Sequence, residues 1–450
     1  MLDYRFLPHT EKEVNEMLQK IGVEKINDLY ADVPQIFEGE LNIPETESEM
    51  DLRRDLYELS ETNKNICDNG IFRGAGIYQH YIPSAVYQIA SKRGFLTAYT
   101  PYQAEVSQGT LQMMFEFQTM ICEITGMEVA NSSMYDGATA TAEAALMAAR
   151  VTKKDKTIIA ESVHPEYIET TKTYLEPQNL TLQTTEIDKV TGRINLESLK
   201  EKIDENTNSV IVGYPNFFGI IEDLKSIREI ISEKIMLIVV VNPIALGLLE
   251  APGNLGADIV VGEGQPLGSY PSLGGPGFGL FASKKKYIRN MPGRIIGETV
   301  DEEGKRAFAM VLQTREQHIR RGKATSNICS NQAFNALLAT IHTSLLGKRG
   351  FKQVALQNYH KAHYLADKLM KTEKFEPVFE GPFFNEFVLK SKISIDEINK
   401  KLLEEKYFGP LNLKRFFKEM DNHALFCATE LNRKEDIDFL VSFLEALIWN

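Results

Sequence analysis

The chain has 450 residues, 43% of them hydrophobic and 25% charged, with a formal net charge of −12 and a pI near 5.4. That length exceeds one ordinary core and accommodates two or three domains, and the mix is that of a soluble globular protein. The acidic balance without a basic stripe argues against a nucleic-acid surface. No apolar run approaches the roughly 18–20 residues of a membrane span. The first residues, MLDYRFLPHTEKEV, show no basic segment followed by an apolar one, so no secretory signal is expected. Cys67, Cys122, Cys329 and Cys427 are scattered, with no CxxC pair and no Cys/His cluster at zinc spacing. Reduced thiols in a cytoplasmic protein, and no metal site, are the expectation.

Residues 1–65 are polar and helix-prone. Thr10 followed by Glu13 resembles a capping box. Glu38–Met50, with Pro44 and several glutamates, reads as an exposed connector before a helix around Asp51–Ile66. From about residue 128 strands and helices alternate. Strands are expected at 128–133, 157–162, 180–187, 209–215, 236–242, 258–263 and 277–283. Helices are expected at Ala138–Val151, Pro165–Tyr174, Leu196–Ile203 and Leu224–Ile231. Near-continuous Val/Ile runs indicate strands buried on both faces, hence a mostly parallel sheet covered by helices. From about 306 the chain reads as helical again, over Ala307–Gln317, Asn331–Leu346 and Leu356–Lys371. Strand candidates EPVFEG, NEFVLKS and HALFCATE follow, then a last helix over Lys434–Ile448. The expected organisation is an N-terminal helical arm (1–65), a large α/β domain (66–305) and a small C-terminal α+β domain (306–450).

The stretch GADIVVGEGQPLGSYPSLGGPGFGLFA (Gly256–Ala282) follows the run MLIVVVNPIA. Strand, glycine-rich turn, strand in this setting resembles the fold-type-I pyridoxal-phosphate (PLP) transferases, the aspartate-aminotransferase-like enzymes. The fold class expected is therefore a three-layer α/β/α large domain with a mostly parallel sheet, plus the smaller α+β domain. In that family an aspartate ending the earlier strand pairs with the pyridine nitrogen, and a lysine near the turn forms the Schiff base. Here those places hold Asn242 and Gly264-Gln265-Pro266. Asparagine cannot hold a pyridinium charge as aspartate does, and neither glutamine nor proline forms an imine. The scaffold is retained without the chemistry in its own cleft.

Other motifs divide between functional and plain structural explanations. Tyr135–Ala140 ends a strand and opens a helix, where such enzymes hold the cofactor phosphate on free N–H groups. Gly137 permits close approach and Thr139 offers a hydroxyl, but Asp136 would repel an anion and reads better as a cap for its own helix. His164 lies where a ring stacks on the cofactor in this fold, or is simply a helix-start histidine beside Pro165. Gly137, Thr139 and His164 are thus expected to outline a vestigial cofactor pocket. Lys284-Lys285-Lys286 reads as a solvated charge run rather than the missing lysine. Gly74–Gln108 mixes Tyr78, His80, Tyr81, Tyr99 and Tyr102 with Gln79, Gln103 and Glu105, a composition common at interfaces and equally consistent with an irregular packed segment. Arg315–Asn327 gathers cations ahead of Lys323, Thr325, Ser326 and Asn327 and reads as a helix end or as an anion or partner contact.

The strings FLPHTEKE, GAGIYQHYIP, FLTAYTPYQAEVSQGTLQ, MYDGATATAEA, GYPNFFG, GGPGFGLFA, GRIIGETVD, LQTREQHIRRGKATSNICSNQA and ALFCATE resemble the alpha chains of the two-subunit glycine decarboxylase, the P-protein of the glycine cleavage system. The resemblance runs from the first residues nearly to the last. One departure is Gly322, where the family more often has Glu. The resemblance implies a non-lysine subunit whose related beta subunit binds PLP covalently. Together they would decarboxylate glycine and pass the aminomethyl group to the lipoyl group of H-protein. By analogy with dimer-interface sites of this fold, Tyr99, Tyr102 and Gln103 would reach the partner's cofactor or glycine. Tyr78, His80 and Tyr81 form a second group of candidates, and Lys323, Thr325, Ser326 and Asn327 a third. The alternative is a structural or regulatory partner that contributes no active-site residue.

Overall fold

The computed structural model describes residues 9–33, 39, 41–64, 70–328 and 331–447. The chain divides into two compact units, Met1–Lys64 and Asn65–Asn450.

In the first unit Thr10 and Glu13 form the expected capping box on the helix Glu11–Ile21, which ends at Gly22 with φ 92°. The helix expected over Asp51–Ile66 is Glu49–Ser60, capped by Ser48, whose Oγ accepts from Asp51 N at 3.2 Å. Residues 65 and 66 lie outside the described residues.

The second unit is built on a seven-stranded sheet. Its spatial order is Val129–Ala130, Gly279–Ser283, Ile259–Glu263, Met236–Val241, Thr207–Tyr214, Lys156–Ala160, Thr181–Thr185. The pairs from Ile259–Glu263 through Thr181–Thr185 are parallel; Gly279–Ser283 runs antiparallel to both of its neighbours. Every residue of Thr207–Tyr214 and Met236–Val241 is buried, as expected of strands covered on both faces. The helices Gly137–Thr152, Pro165–Leu175, Leu196–Lys202 and Leu224–Ile230 fall where the sequence pattern predicts them.

A smaller antiparallel sheet follows, in the order Phe375–Pro377, Glu386–Ser391, His423–Cys427, Leu411–Asn412. It buries Phe375, Phe387, Leu389 and Phe426 against Ala362, Leu365 and Leu369 of the helical segment Ala333–Met370 and Ile437 and Leu440 of the helix Lys434–Ala446.

One expectation is corrected. The segment Ala307–Gln317 is not a helix: Arg306–Val311 is a strand paired antiparallel with Ile295–Val300. Its alternation buries Phe308 and Met310 beside Ile296, Leu111 and Met114, and that packing overrides helix propensity. The helices expected over Asn331–Leu346 and Leu356–Lys371 lie in the helical segment Ala333–Met370, which is two helices meeting at a kink at Gly347, with φ 57° and ψ 179°.

Candidate functional site

The first candidate site lies beyond the C-terminal ends of the parallel strands, where open α/β sheets place their ligands. His164, Asn242, Glu263, Tyr78 and Glu386 are among its walls. The Gly137–Thr152 helix opens toward it. Asp136 caps that helix, Oδ1 accepting from Thr139 N at 2.7 Å while Thr139 Oγ1 accepts from Asp136 N at 3.3 Å. Thr139 is therefore spent on the cap.

A second carboxylate completes the helix start. Glu263, the last residue of its strand, accepts from Gly137 N through Oε2 at 3.0 Å. Its Oε1 accepts from Gln265 N at 2.9 Å and Phe278 N at 3.0 Å. Burial pushes the Glu263 carboxyl up to about 7, although these N–H donors pull it down; Asp136 pushes the same way as burial. Only glycine allows the approach: a Cβ at position 137 would stand 2.7 Å from Glu263 N and would also strike the Tyr167 hydroxyl.

His164 Nδ1 accepts from Glu166 N at 3.2 Å, which makes Nε2 the protonated nitrogen, 3.1 Å from the Ala75 carbonyl. Its ring stacks on Tyr167, 5.0 Å between centroids, and meets Phe217 edge-on at 4.9 Å. Burial lowers its pKa. Asn242 turns its Oδ1 onto Ile244 N at 3.1 Å, capping the following turn. Gln265, expected from the sequence to stand at the place of the lysine, is buried and bonded to the Tyr78 backbone in both directions. Glu386 accepts from Ala75 N and from the Tyr78 hydroxyl, each at 2.6 Å, and burial pushes its carboxyl up to about 7.

The cavity these side chains leave measures about 60 Å³. Sites for drug-sized ligands run to roughly 300–1,000 Å³. These residues do not fit a covalently held PLP. Among the described residues, no group of three or more His, Cys, Asp or Glu side chains could hold a metal ion. Glu263 and Glu386 carry no obvious signal in the sequence. An acid within the glycine-rich turn, two residues before Gln265, is the cue that could have found the first.

The other predicted residues are distributed differently. Tyr78 is buried in this cleft. His80 is buried too, with Nδ1 2.9 Å from Glu430, while Tyr81 is exposed and its N–H donates to Glu430 at 2.6 Å. Burial would raise the Glu430 carboxyl; His80, the Tyr81 N–H and Asn358 outweigh it and hold it at about 2. Tyr99 is 87% exposed and Gln103 is exposed. Tyr102 is half open to solvent: its hydroxyl lies 3.3 Å from Arg294 NH2, and Arg294 Cζ is 5.6 Å from the centre of its ring. Arg294 NH1 also donates to Thr100 Oγ1 at 3.3 Å, and His318 meets the Tyr102 ring edge-on at 5.7 Å. Arg294, not singled out from the sequence, also has Nε 3.8 Å from Glu316 and thus joins the Tyr99–Gln103 loop to the Arg315–Asn327 segment. In that segment Lys323 and Asn327 are exposed and Thr325 and Ser326 half-buried. Ser326 Oγ accepts from Ile328 N at 3.1 Å.

A family model described as "Glycine cleavage system P-protein" matches residues 4–444. The chain is 51% identical over 444 residues to a probable glycine dehydrogenase (decarboxylating) subunit 1 of Thermotoga maritima, covering 99% of this chain and all of the relative. It is 52% identical over 444 residues to the protein so named in a Geobacillus species, with 98% of each covered. A crystal structure of glycine decarboxylase (P-protein) of the glycine cleavage system, in inhibitor-bound form, superposes with a TM-score of 0.89 at 39% identity, over 98% of this chain and 99% of that one. A sphingosine-1-phosphate lyase of Burkholderia pseudomallei, at 15% identity and TM-score 0.65 over 92% and 93% of the two chains, shares the fold. No helix among the described residues is long and apolar enough to cross a membrane.

Proposed function

Because the chain belongs to the glycine cleavage system P-protein family, we propose that it is the non-lysine subunit of a two-subunit glycine decarboxylase and completes the active site of its beta subunit. In this reading the beta subunit holds PLP covalently, and the pair works in the cytoplasm. Glycine loses its carboxyl group as CO2, and the aminomethyl remainder passes to the lipoyl group of H-protein. PLP supplies the electron sink for the carbanion that decarboxylation leaves.

The observation that carries this reading is the contrast between the two candidate sites. The chain's own cleft is closed by Gln265, Glu263, His164 and Glu386, which spend their polar atoms on the backbone of Tyr78, Gly137 and Ala75. The Tyr99–Gln103 loop instead stands open. Exposed Leu96 and Phe334, together with Tyr99, border an apolar groove of about 330 Å³ beside it. Exposed apolar side chains gathered in one place mark a partner surface. Tyr99, Tyr102 and Gln103 face the partner's cofactor or glycine. Tyr81, Lys323, Thr325, Ser326 and Asn327 form the outer ring of that contact. Tyr78 and His80 anchor the segment that carries Tyr81.

Tyr99→Phe and Gln103→Ala, each reconstituted with a beta subunit, test the reading. Lower turnover or a higher glycine KM in an intact complex is expected. Wild-type values in both would leave the chain a structural partner alone.

A further inference from the structure

Glu263 has no part in the proposed activity, yet it occupies the most constrained position in the cleft. Its carboxylate takes N–H groups from three separate places: the start of the Gly137–Thr152 helix, the turn at Gln265 and the entry to the Gly279–Ser283 strand at Phe278. Convergent backbone N–H groups at a helix start are the arrangement that holds a phosphate in α/β proteins. Here the anion is supplied by the chain itself.

We propose that Glu263 is a built-in anion that fills the cofactor-phosphate position of this chain and thereby excludes phosphate-bearing ligands, PLP included, from its cleft. The N–H groups an incoming phosphate would need are already taken. Asp136 stands beside them with a second carboxylate, so an incoming phosphate would meet two carboxyl groups before finding a free donor. Behind Glu263 the cavity is about 60 Å³, closed further by Tyr167 and His164. In an enzyme built from two related clefts, a cleft without its lysine could still draw the cofactor away without reacting it. Glu263 removes that competition, leaving the partner's cleft as the one that loads. This goes beyond the proposed activity and concerns this chain alone, so it stands or falls without a beta subunit present.

The test uses the full chain and inorganic phosphate, with chloride at equal ionic strength and pH as the control. Equilibrium dialysis should find no phosphate held by the wild type, and its melting temperature should be the same in both salts. Glu263→Ala vacates the position: it should melt lower than the wild type, bind one phosphate per chain, and regain about 2 °C or more in phosphate. Glu263→Gln keeps the volume and should take up no phosphate. If Glu263→Ala is insoluble, recovery on refolding in phosphate but not in chloride gives the same answer. The proposal is overturned by stoichiometric phosphate on the wild type that Glu263→Gln abolishes. It is equally overturned by a Glu263→Ala chain that neither binds phosphate nor is rescued by it.

Discussion

Gln265 and Tyr78 hold each other by a reciprocal pair of hydrogen bonds. Tyr78 N–H donates to Gln265 Oε1 at 3.0 Å, and Gln265 Nε2 donates to the Tyr78 carbonyl at 2.9 Å and to the Ser269 carbonyl at 2.7 Å. Gln265 is therefore a clip that ties the Gly74–Pro83 segment across the cleft. Restoring the lysine alone should not restore its chemistry. In Gln265→Lys the Tyr78 N–H loses a buried acceptor, and a loss of about 3 kcal/mol is expected by urea denaturation. No imine absorbance should appear with PLP, and borohydride should trap nothing at position 265. A trapped adduct there would show that the cleft is open.

Glu386 makes stability depend on pH in a direction that can be checked. Its folded-state carboxyl sits near 7, above the ordinary 4.5. The folded chain therefore binds more protons between those values, and stability falls as pH rises through that window. The contribution is present below about pH 4.5 and lost above about pH 7, on the order of 3 kcal/mol for this group. Glu386→Gln can still accept from Ala75 N and can donate to the Tyr78 hydroxyl. It should make the decline shallower, since Glu263 and Glu222 are also raised to about 7 and add to it, and be the more stable protein at pH 8. An unchanged slope in urea titrations at pH 5.5 and 8 would mean that Glu386 is not the group responsible.

Arg294 holds the loop that carries Tyr99 and Gln103, through Thr100 and the Tyr102 hydroxyl. Arg294→Lys keeps the charge but loses the planar fork that reaches both. In the reconstituted enzyme kcat/KM for glycine should drop about tenfold, equivalent to about 1.4 kcal/mol. The isolated variant should remain folded by circular dichroism. Unaltered kinetics would place the loop outside the catalytic assembly.

The two described cysteines should be inert. Burial raises the Cys427 thiol well above its ordinary value, with Glu386 and Glu430 adding to the effect, and burial brings Cys122 to about 11, with Glu123 adding. The thiolate is the reactive form. Peptide mapping after iodoacetamide at pH 8 should find both unmodified in the native chain and both modified in urea.

The centre of the large sheet was legible because Thr207–Tyr214, Met236–Val241 and Ile259–Glu263 carry Val/Ile runs, which have few alternatives to burial. The hairpin of Ile295–Val300 and Arg306–Val311 was not, because RAFAMV carries no turn signal that distinguishes it from a helix start. Only its pairing and the burial of Phe308 and Met310 decide the matter. At the cleft, that Asn242 and Gln265 can supply neither a carboxylate for a pyridine nitrogen nor an imine could be read directly. What closes the cleft instead could not. Glu263 reads as the polar end of a strand, and nothing local reveals that Gly137, 126 positions earlier, supplies its partner. Glu386 meets Tyr78 across 308 positions. Such pairings are made by topology, and a single sequence leaves no trace of them.

We propose that this chain acts only by completing a partner's site. Glycine-dependent CO2 release, measured with lipoylated H-protein present, tests it most directly. This chain alone and a beta subunit alone should release none, and their mixture should be active. Release by this chain alone would contradict the account, because a cleft closed by Gln265 and Glu263 has neither the lysine nor the space for the cofactor.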